Sequence, residues 1–293
     1  MTEGFLFYND VMKLILLILL LLILLYLFLL HPNTKRKERM KPYERKYIAH
    51  RGLFNNADVP ENSLSAFRKA VENGYGIELD VQLTTDDQLV VFHDASLKRM
   101  TGIDKNLTDC SFEELQNYPL LDTDEKIPLF ADVLKVLKKD TPLIIEIKAE
   151  GRYIETTKRT VEMMRSYDGL YNMESFNPMV VRYLRMNEPD IIRGQLSYNY
   201  VADADSGLSL PVKFVLTNLL LNYWNDPDYI AYDCTNTGNL SFRILSRIMK
   251  AECVAWTVKS EEELKKIAPY YRCFIFDSFI PKGSNPTELK ENL

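Results

Sequence analysis

The chain has 293 residues, of which 46% are hydrophobic and 26% are charged, a composition typical of a globular protein with one large or two small domains. Its four cysteines form no C-x-x-C pair, so neither a disulfide framework nor a structural zinc site is expected. The net charge is −5, and the basic side chains concentrate in one early segment, which leaves the rest acidic and argues against nucleic-acid binding.

The first predicted element is an apolar stretch at 11–30, VMKLILLILLLLILLYLFLL, which is long enough for a transmembrane helix. Its only charge, Lys13, lies near one end. A cleaved signal peptide is the alternative, but the preceding residues are not basic and no small-residue cleavage site follows. We therefore expect a short tail at 1–10 and a single membrane-spanning helix at 11–30.

A basic segment follows at 31–46, with seven basic and two acidic side chains. The positive-inside rule assigns this side of the span to the cytoplasm. The same charges could bind anionic lipid headgroups, or they could serve only to stop translocation. We predict a polar stalk at 31–46 and a single-pass protein of the cell membrane, with a cytoplasmic domain at 47–293.

Strand-like and helix-like runs alternate through this domain. The strand-like runs are 46–50, 76–83, 88–93, 142–148, 171–176, 191–197, 229–233, 253–258 and 273–278. The helix-like runs are 63–74, 111–117, 129–139, 153–166, 177–187, 239–250 and 260–268. Such alternation predicts parallel strands joined by right-handed crossovers, and about eight units favour a (β/α)₈ TIM-type barrel.

The competing architecture is a doubly wound open sheet, but no glycine-rich phosphate loop follows the first strand. The run at 88–93 begins only four residues after its predecessor, so we expect a hairpin strand outside the eight barrel strands.

Carboxylates lie on two of the strand-like runs, among apolar neighbours. Glu78 and Asp80 are two residues apart, so both side chains point to one face. A hard divalent cation is the simplest way to keep such a pair together, and a solvated pair on an edge strand is the alternative. In the run at 142–148, Glu146 could complete the metal site while Lys148 holds an anionic oxygen; the alternative is a structural Glu146–Lys148 ion pair.

Histidine is rare in this chain, which has only three. His31 lies at the membrane edge, while His50 and His93 each end a strand-like run and are followed by Arg51 and Asp94. The carboxyl ends of the strands form the active site of a TIM barrel. Two histidines there suit a general base and a general acid on opposite sides of a phosphorus atom, so the set indicates phosphoryl transfer.

These motifs resemble those of the glycerophosphodiester phosphodiesterase family. The matching segments are IAHRG at 48–52, PENSLSAFRKAVENGYGIELDVQLTTDDQLVVFHDASLKRMTG at 60–102 and IEIK at 145–148. The likeness extends over nearly all of 47–281, through SFNP at 175–178, VAWTV at 254–258 and FDS at 276–278. It implies a distorted TIM barrel that cleaves glycerophosphodiesters to sn-glycerol 3-phosphate and an alcohol.

The resemblance also implies a role for each candidate residue. The acid–base pair would be His50 and His93. The ligands of Ca²⁺ or Mg²⁺ would be Glu78, Asp80 and Glu146. The substrate contacts would be Arg51 and Lys148 at the phosphate and Trp256 at the mouth of the site. Glu61, in the PEN motif, would lie in or behind the site.

A second apolar stretch, LSLPVKFVLTNLLLNYW at 208–224, is either a well-buried barrel helix or an interfacial segment beside the active-site mouth. In the second case five side chains would contact lipid: Phe214, Leu216, Leu219, Leu220 and Trp224. Three functions are compatible with the chain: hydrolysis of soluble glycerophosphodiesters, lysophospholipase D activity on membrane lipids, and an inactive lipid-binding scaffold. The complete residue set argues against the scaffold. The headgroup, the attacking oxygen (water or the glycerol 2-hydroxyl) and the oligomeric state stay open.

Overall fold

The computed structural model describes residues 2–282. Met1 and residues 283–293, which belong to the expected tail and to the expected domain, lie outside the described residues. The first helix, α1 (Thr2–Leu30), includes both the apolar stretch and residues 2–10, so the tail and the span form one helix. Within it, Asn9–Leu30 is the one stretch of the described chain long and apolar enough to cross a membrane.

The described chain contains nine strands in a single sheet. They are β1 (Tyr47–Ala49), β2 (Gly76–Leu83), β3 (Leu89–Val91), β4 (Leu143–Ile147), β5 (Tyr171–Ser175), β6 (Arg193–Ser197), β7 (Tyr229–Asp233), β8 (Glu252–Val258) and β9 (Cys273–Phe276). All except β3 pair in parallel, and the sheet closes because β1 pairs with both β2 and β9. The TIM-type barrel is therefore confirmed, and the open sheet is wrong.

The hairpin prediction for 88–93 is also confirmed. Strand β3 runs antiparallel to β2, with Val81 opposite Val91, and takes no place among the eight parallel strands. This extension carries the chain beyond the carboxyl end of β2 and returns it beside the barrel mouth, where His93 follows.

Ten α-helices follow α1 in the described chain, and most of them cover the outside of the barrel. They are α2 (Leu64–Glu72), α3 (Lys98–Thr101), α4 (Phe112–Leu115), α5 (Phe130–Val136), α6 (Tyr153–Met164), α7 (Pro178–Asn187), α8 (Leu210–Thr217), α9 (Asn222–Asn225), α10 (Leu240–Arg243) and α11 (Glu261–Ile267). Local signals set many of their ends: the Ser63 hydroxyl accepts a hydrogen bond from the Ala66 N–H at the start of α2. Helix α5 ends earlier than predicted because a turn through Lys138–Thr141 leads directly into β4.

The stretch at 208–224 is not the well-buried barrel helix of the first alternative. Its residues divide between α8 and α9, and Thr217 is the one buried residue of α8. Phe214 and Trp224 are exposed, as the interfacial alternative predicts, whereas Leu219 is buried in the main core. The expectation that Leu219 contacts lipid is therefore wrong, because this side chain points toward the barrel.

Residues 31–46, predicted to form a polar stalk, pack beneath the amino-terminal ends of the strands. A 3₁₀ helix, Lys37–Tyr43, inserts Met40 and Tyr43 among side chains of the barrel interior. Arg36 forms an ion pair with the buried Asp228 (3.1 Å), and Arg39 with Asp190 (3.3 Å). This segment closes the amino-terminal end of the barrel. Two of its seven basic side chains, Arg36 and Arg39, form ion pairs within the domain.

We predict that Tyr43→Ala destabilises the domain strongly. Tyr43 is fully buried, and its hydroxyl donates to the Leu143 carbonyl, so truncation opens a cavity and should lower the free energy of unfolding by about 3–5 kcal/mol. Denaturant unfolding of the full chain in detergent, followed by tryptophan fluorescence, measures the effect. Lys41→Ala on the same segment is the control and should change stability by less than about 0.5 kcal/mol. Equal stability of the two variants would show that this segment does not support the barrel.

Candidate active site

Strands β2 and β4 bring three carboxylates together inside the barrel. The register pairs Asp80 with Glu146, and Glu78 shares the inward face of β2 with Asp80. One oxygen from each carboxylate lies within 4.8 Å of the others, and all three side chains are buried. A solvated pair on an edge strand is therefore wrong, because β2 lies between β1 and β4.

The electrostatics of this cluster suit a divalent cation. Burial, together with the charges of Asp80 and Glu146, raises the pKa of Glu78 well above its ordinary value, and burial also raises the pKa of Glu146. Burial would raise the pKa of Asp80 too, but the positive charges of His93, Lys148 and Arg51 hold it below its ordinary value. Asp80 Oδ1 is buried and accepts no hydrogen bond. Three hard oxygen donors, one without a hydrogen-bond partner, fit a bound cation.

Lys148 lies directly beside the carboxylates. Its Nζ is 2.9 Å from Glu146 Oε1 and 3.5 Å from Asp80 Oδ1. Burial opposes its charge, yet these two carboxylates raise the pKa of Lys148 above its ordinary value. The Glu146–Lys148 ion pair is thus formed, and the same ammonium group borders the site, so the two alternatives for Lys148 are compatible.

Arg51 is held by the turn after β1. Its backbone N–H donates to Glu78 Oε2 (3.0 Å), and its Nη1 donates to Glu61 Oε1 (2.7 Å). Its φ of 53° lies in the left-handed region, a strained conformation for an arginine. At the next residue, Gly52, a Cβ would meet Ala66 at 2.8 Å, so this close approach of the turn to α2 requires glycine.

Each of the two domain histidines is oriented by a carboxylate. His50 Nδ1 lies 3.0 Å from Asp277 Oδ2, and His93 Nδ1 lies 2.6 Å from Asp94 Oδ1. Nε2 of each ring is therefore available for other contacts, and that of His50 lies 4.0 Å from Glu78 Oε2. Burial lowers the pKa of His50, while Asp277 opposes the change.

Glu61 is among the lining residues of the cavity and joins two arginines. It accepts hydrogen bonds from Arg51 and from both terminal nitrogens of Arg99, and Arg99 also donates to Asp94. Burial alone would raise the pKa of Glu61, but Arg99 and Arg51 lower it to about 2. A continuous chain of charged groups therefore runs from Arg51 to the carboxylate that orients His93.

The cavity above these groups has a volume of about 390 Å³, within the range of small-molecule sites. Both histidines, Arg51 and four buried glutamates line it: Glu61, Glu78, Glu146 and Glu174. Asp80 and Lys148 are not among its lining residues and lie beneath it, next to Glu146. Trp256 and Phe176 form one wall, with ring centroids 5.2 Å apart. The Trp256 indole N–H is buried and has no hydrogen-bond partner, so it can donate to a ligand. His31, at the end of α1, does not line the cavity.

Several contributors were missed by the sequence analysis. Asp277 and Asp94 orient the histidines, Asn62 donates to Asp80 Oδ2 (2.8 Å), and Arg99 binds Glu61. Asp277 follows β9 directly, so its place after a strand end was a usable signal. Glu174, a further carboxylate of the cavity, accepts a hydrogen bond from a tyrosine hydroxyl, and burial raises its pKa to about 8.

Known proteins of one family are similar to this chain in sequence and in fold. Residues 50–277 match the family model described as "Glycerophosphoryl diester phosphodiesterase family". Glycerophosphodiester phosphodiesterase 1 of Homo sapiens is 28% identical over 278 residues, which cover 85% of this chain and 81% of that protein. Lysophospholipase D GDPD1 of Homo sapiens is 33% identical over 153 residues, 48% of this chain and 47% of that protein.

Solved structures of phosphodiesterases have the same fold as this chain. A glycerophosphodiester phosphodiesterase of Thermotoga maritima matches with a TM-score of 0.61 at 26% identity, over 79% of this chain and 94% of that one. An Oleispira antarctica phosphodiesterase, solved in complex with the product sn-glycerol-3-phosphate, shares the fold with a TM-score of 0.65 at 23% identity, over 80% and 94% of the two chains.

We predict that the Glu61 network makes stability depend on pH. A carboxyl group whose pKa falls on folding stabilises the folded state when ionised, so this contribution is present above about pH 4.5 and disappears as the pH falls toward 2. Glu61→Gln should lower the free energy of unfolding by about 3 kcal/mol at pH 7, and by less at pH 3. Denaturant unfolding at the two pH values measures this, with the exposed Glu113→Gln as control. A deficit that is the same at both pH values would contradict the role of the ionised carboxylate.

Proposed function

Because this chain belongs to the glycerophosphoryl diester phosphodiesterase family, we propose that it hydrolyses glycerophosphodiesters to sn-glycerol 3-phosphate and an alcohol at a membrane surface. The observation that carries this proposal is a single cavity lined by Glu78 and Glu146 of the acidic cluster, by two carboxylate-oriented histidines and by Arg51. Each of these groups has a task in breaking a phosphodiester bond. An inactive scaffold would not need all of them.

A divalent cation is the cofactor of this family's reaction, and Glu78, Asp80 and Glu146 would hold it. We propose Ca²⁺ or Mg²⁺, because both bind carboxylate oxygens in preference to softer ligands. When bound, the cation supplies positive charge that offsets the repulsion among the carboxylates and neutralises charge on the phosphate.

The side chains divide the remaining work. Lys148 and Arg51 bind phosphate oxygens and stabilise the negative charge that develops in the transition state. One of His50 and His93 removes the proton from the attacking oxygen, and the other donates a proton to the departing alcohol. Asp277 and Asp94 support these roles by binding Nδ1, which leaves Nε2 for the substrate. Trp256 offers an aromatic face and an unpaired indole N–H to the substrate.

Membrane attachment through α1 accompanies this activity in our proposal. Leu30 is fully buried, and the Tyr26 hydroxyl hydrogen-bonds to the Ser241 hydroxyl (2.7 Å). Since cleavage of a signal peptide would remove these contacts from the domain, we favour a retained anchor at 11–30. The basic segment at 31–46 favours a cytoplasmic domain in the cell membrane.

Lysophospholipids are the second candidate substrates. The exposed apolar side chains of α8 favour them, because soluble diesters have no need of an apolar surface beside the site. Assaying glycerophosphocholine, glycerophosphoethanolamine and lysophospholipids side by side with the purified chain tests both candidates. Release of sn-glycerol 3-phosphate from the first two is the expected result, and no turnover of any of the three would reject the proposed function.

We predict that chelation abolishes activity. EDTA should remove the cation held by the carboxylate cluster, and Ca²⁺ or Mg²⁺ should restore turnover. Glu146→Gln should need a higher cation concentration for half-maximal activity, whereas Glu113→Gln, far from the cluster, should respond as the wild type does. Turnover that survives exhaustive chelation would refute the metal site.

We also predict that both domain histidines are essential. His50→Ala and His93→Ala should each lower kcat about 10²- to 10⁴-fold, the usual contribution of a positioned proton donor or acceptor. His31→Ala is the matched control and should keep wild-type kcat. Steady-state kinetics with glycerophosphocholine measures all three, and equal losses in the three variants would overturn the acid–base assignment.

A further inference from the structure

An apolar groove lies beside the catalytic cavity. It has a volume of about 560 Å³, large enough for a small-molecule ligand, and Leu208, Val212, Val215 and Leu216 form much of its wall. Among its lining residues, Tyr200 and Asn177 are the two with polar side chains. The apolar lining suits a hydrocarbon ligand and offers little to a charged or sugar-like one.

The groove and the catalytic cavity are neighbours through one residue. Phe176, which follows β5, lines both of them. Its ring packs against Trp256 in the catalytic cavity, and against Tyr198 at 5.8 Å. A ligand with its phosphate among the histidines could therefore extend past this aromatic wall into the groove.

The groove lies on the catalytic side of the barrel. The Ser197 hydroxyl, at the carboxyl end of β6, donates to the Leu216 carbonyl (2.7 Å), and Tyr232, near the end of β7, donates to Thr217 (3.1 Å). These bonds align the last turn of α8 with the ends of the strands. Because α8 leads from the end of β6 back toward the start of β7, its earlier residues lie above the strand ends. Leu210 and Phe214 are there, 67% and 55% exposed.

Helix α1 also extends toward the catalytic side of the barrel. The chain after α1 contacts the amino-terminal side of the barrel, where the Asn33 N–H donates to the carbonyl of Pro227, just before β7. At the last residue of α1, the Leu30 carbonyl accepts a hydrogen bond from the Asn222 side chain (3.0 Å). Tyr26 bonds to Ser241, whose hydroxyl donates to the Asn218 side chain (3.2 Å), one residue beyond α8.

Helix α1 therefore lies along the outside of the barrel, and Tyr26 is at the level of the carboxyl ends of the strands. Residues 9–25, about 25 Å of helix, continue beyond that level, and their large apolar side chains are exposed. If this part of α1 spans the bilayer, the bilayer lies on the catalytic side of the barrel. The mouth and α8 then face the lipid.

From these observations we propose that the groove between α8 and Phe176 binds the acyl chain of a lysophospholipid that enters directly from the bilayer. The proposal rests on the proposed function and names its substrate class. The phosphate would lie among the histidines, and the glycerol would pass the aromatic wall. Water would add to phosphorus as the bond to the headgroup oxygen breaks, and the departing alcohol would take the proton. The acyl chain would stay in the groove throughout.

Choline release from three substrates tests the proposal, since the headgroup and product are constant and only the acyl chain differs. The substrates are palmitoyl lysophosphatidylcholine, hexanoyl lysophosphatidylcholine and glycerophosphocholine. The full chain is reconstituted in vesicles of phosphatidylethanolamine and phosphatidylglycerol, which release no choline. The wild-type kcat/KM should rise with chain length, because each buried methylene contributes to binding.

Val212→Trp is the decisive variant, because it fills the groove while keeping the surface apolar. The ratio of kcat/KM for the palmitoyl substrate to that for glycerophosphocholine should fall about tenfold or more, as expected when about two methylenes lose their burial. Ile248→Trp, at an exposed apolar position that precedes β8 and does not line the groove, is the matched control and should keep the wild-type ratio. Leu208→Gln, which makes the groove polar, should lower the ratio as well.

Other results would overturn the proposal. An unchanged ratio in Val212→Trp would show that the groove does not hold the acyl chain. An equal loss on all substrates, with a lower melting temperature, would make α8 a structural element only. A change in oligomeric state would make the groove a contact between copies of the chain. If the wild type releases no choline even from glycerophosphocholine, the proposed function itself fails, which is a different outcome.

Discussion

The rest of this structure depends on the burial of like charges inside a closed barrel. Glu78, Asp80 and Glu146 have oxygens within 4.8 Å of one another, where little water can screen their repulsion. Such a cluster is stable only if positive charge or protons neutralise it. Lys148 supplies one positive charge, and Arg51 donates its backbone N–H to the same cluster. A divalent cation would complete the neutralisation, and this cluster would then form part of the phosphate site that we propose.

The groups that orient the site follow from the same constraint. The Arg51 guanidinium lies 3.6 Å from Asp80 of the cluster, and Glu61 accepts a hydrogen bond from its Nη1. Glu61 in turn binds Arg99, which holds the carboxylate next to His93. Removing one member would leave a charge without its partner, and the loss would reach the ring of His93 through these hydrogen bonds. The same network therefore stabilises the fold and fixes the orientation of this histidine.

The two ends of the barrel serve different purposes. The amino-terminal end is closed by Tyr43 and its 3₁₀ helix, which stabilises the fold. The carboxyl-terminal end carries the cavity, the exposed side chains of α8 and the continuation of α1 beyond Tyr26. In the orientation that we propose, the mouth would face the lipid, and a substrate that is itself part of the bilayer would reach the histidines without crossing water. Helix α1 would then position the mouth as well as attach the protein.

Residue order by itself determined the alternation of strands and helices, the hairpin at 88–93 and the shared face of Glu78 and Asp80. These features depend on short-range periodicity: residues two apart on a strand, such as Glu78 and Asp80, must share a face wherever that strand lies. Only the tertiary structure decided which distant groups meet. Asp277 reaches His50 because β9 pairs with β1, and the basic segment at 31–46 closes the barrel because buried Asp228 binds Arg36. Whether Leu219 or Phe214 faces the core was likewise decided by packing, since both are apolar and the local pattern allows either orientation.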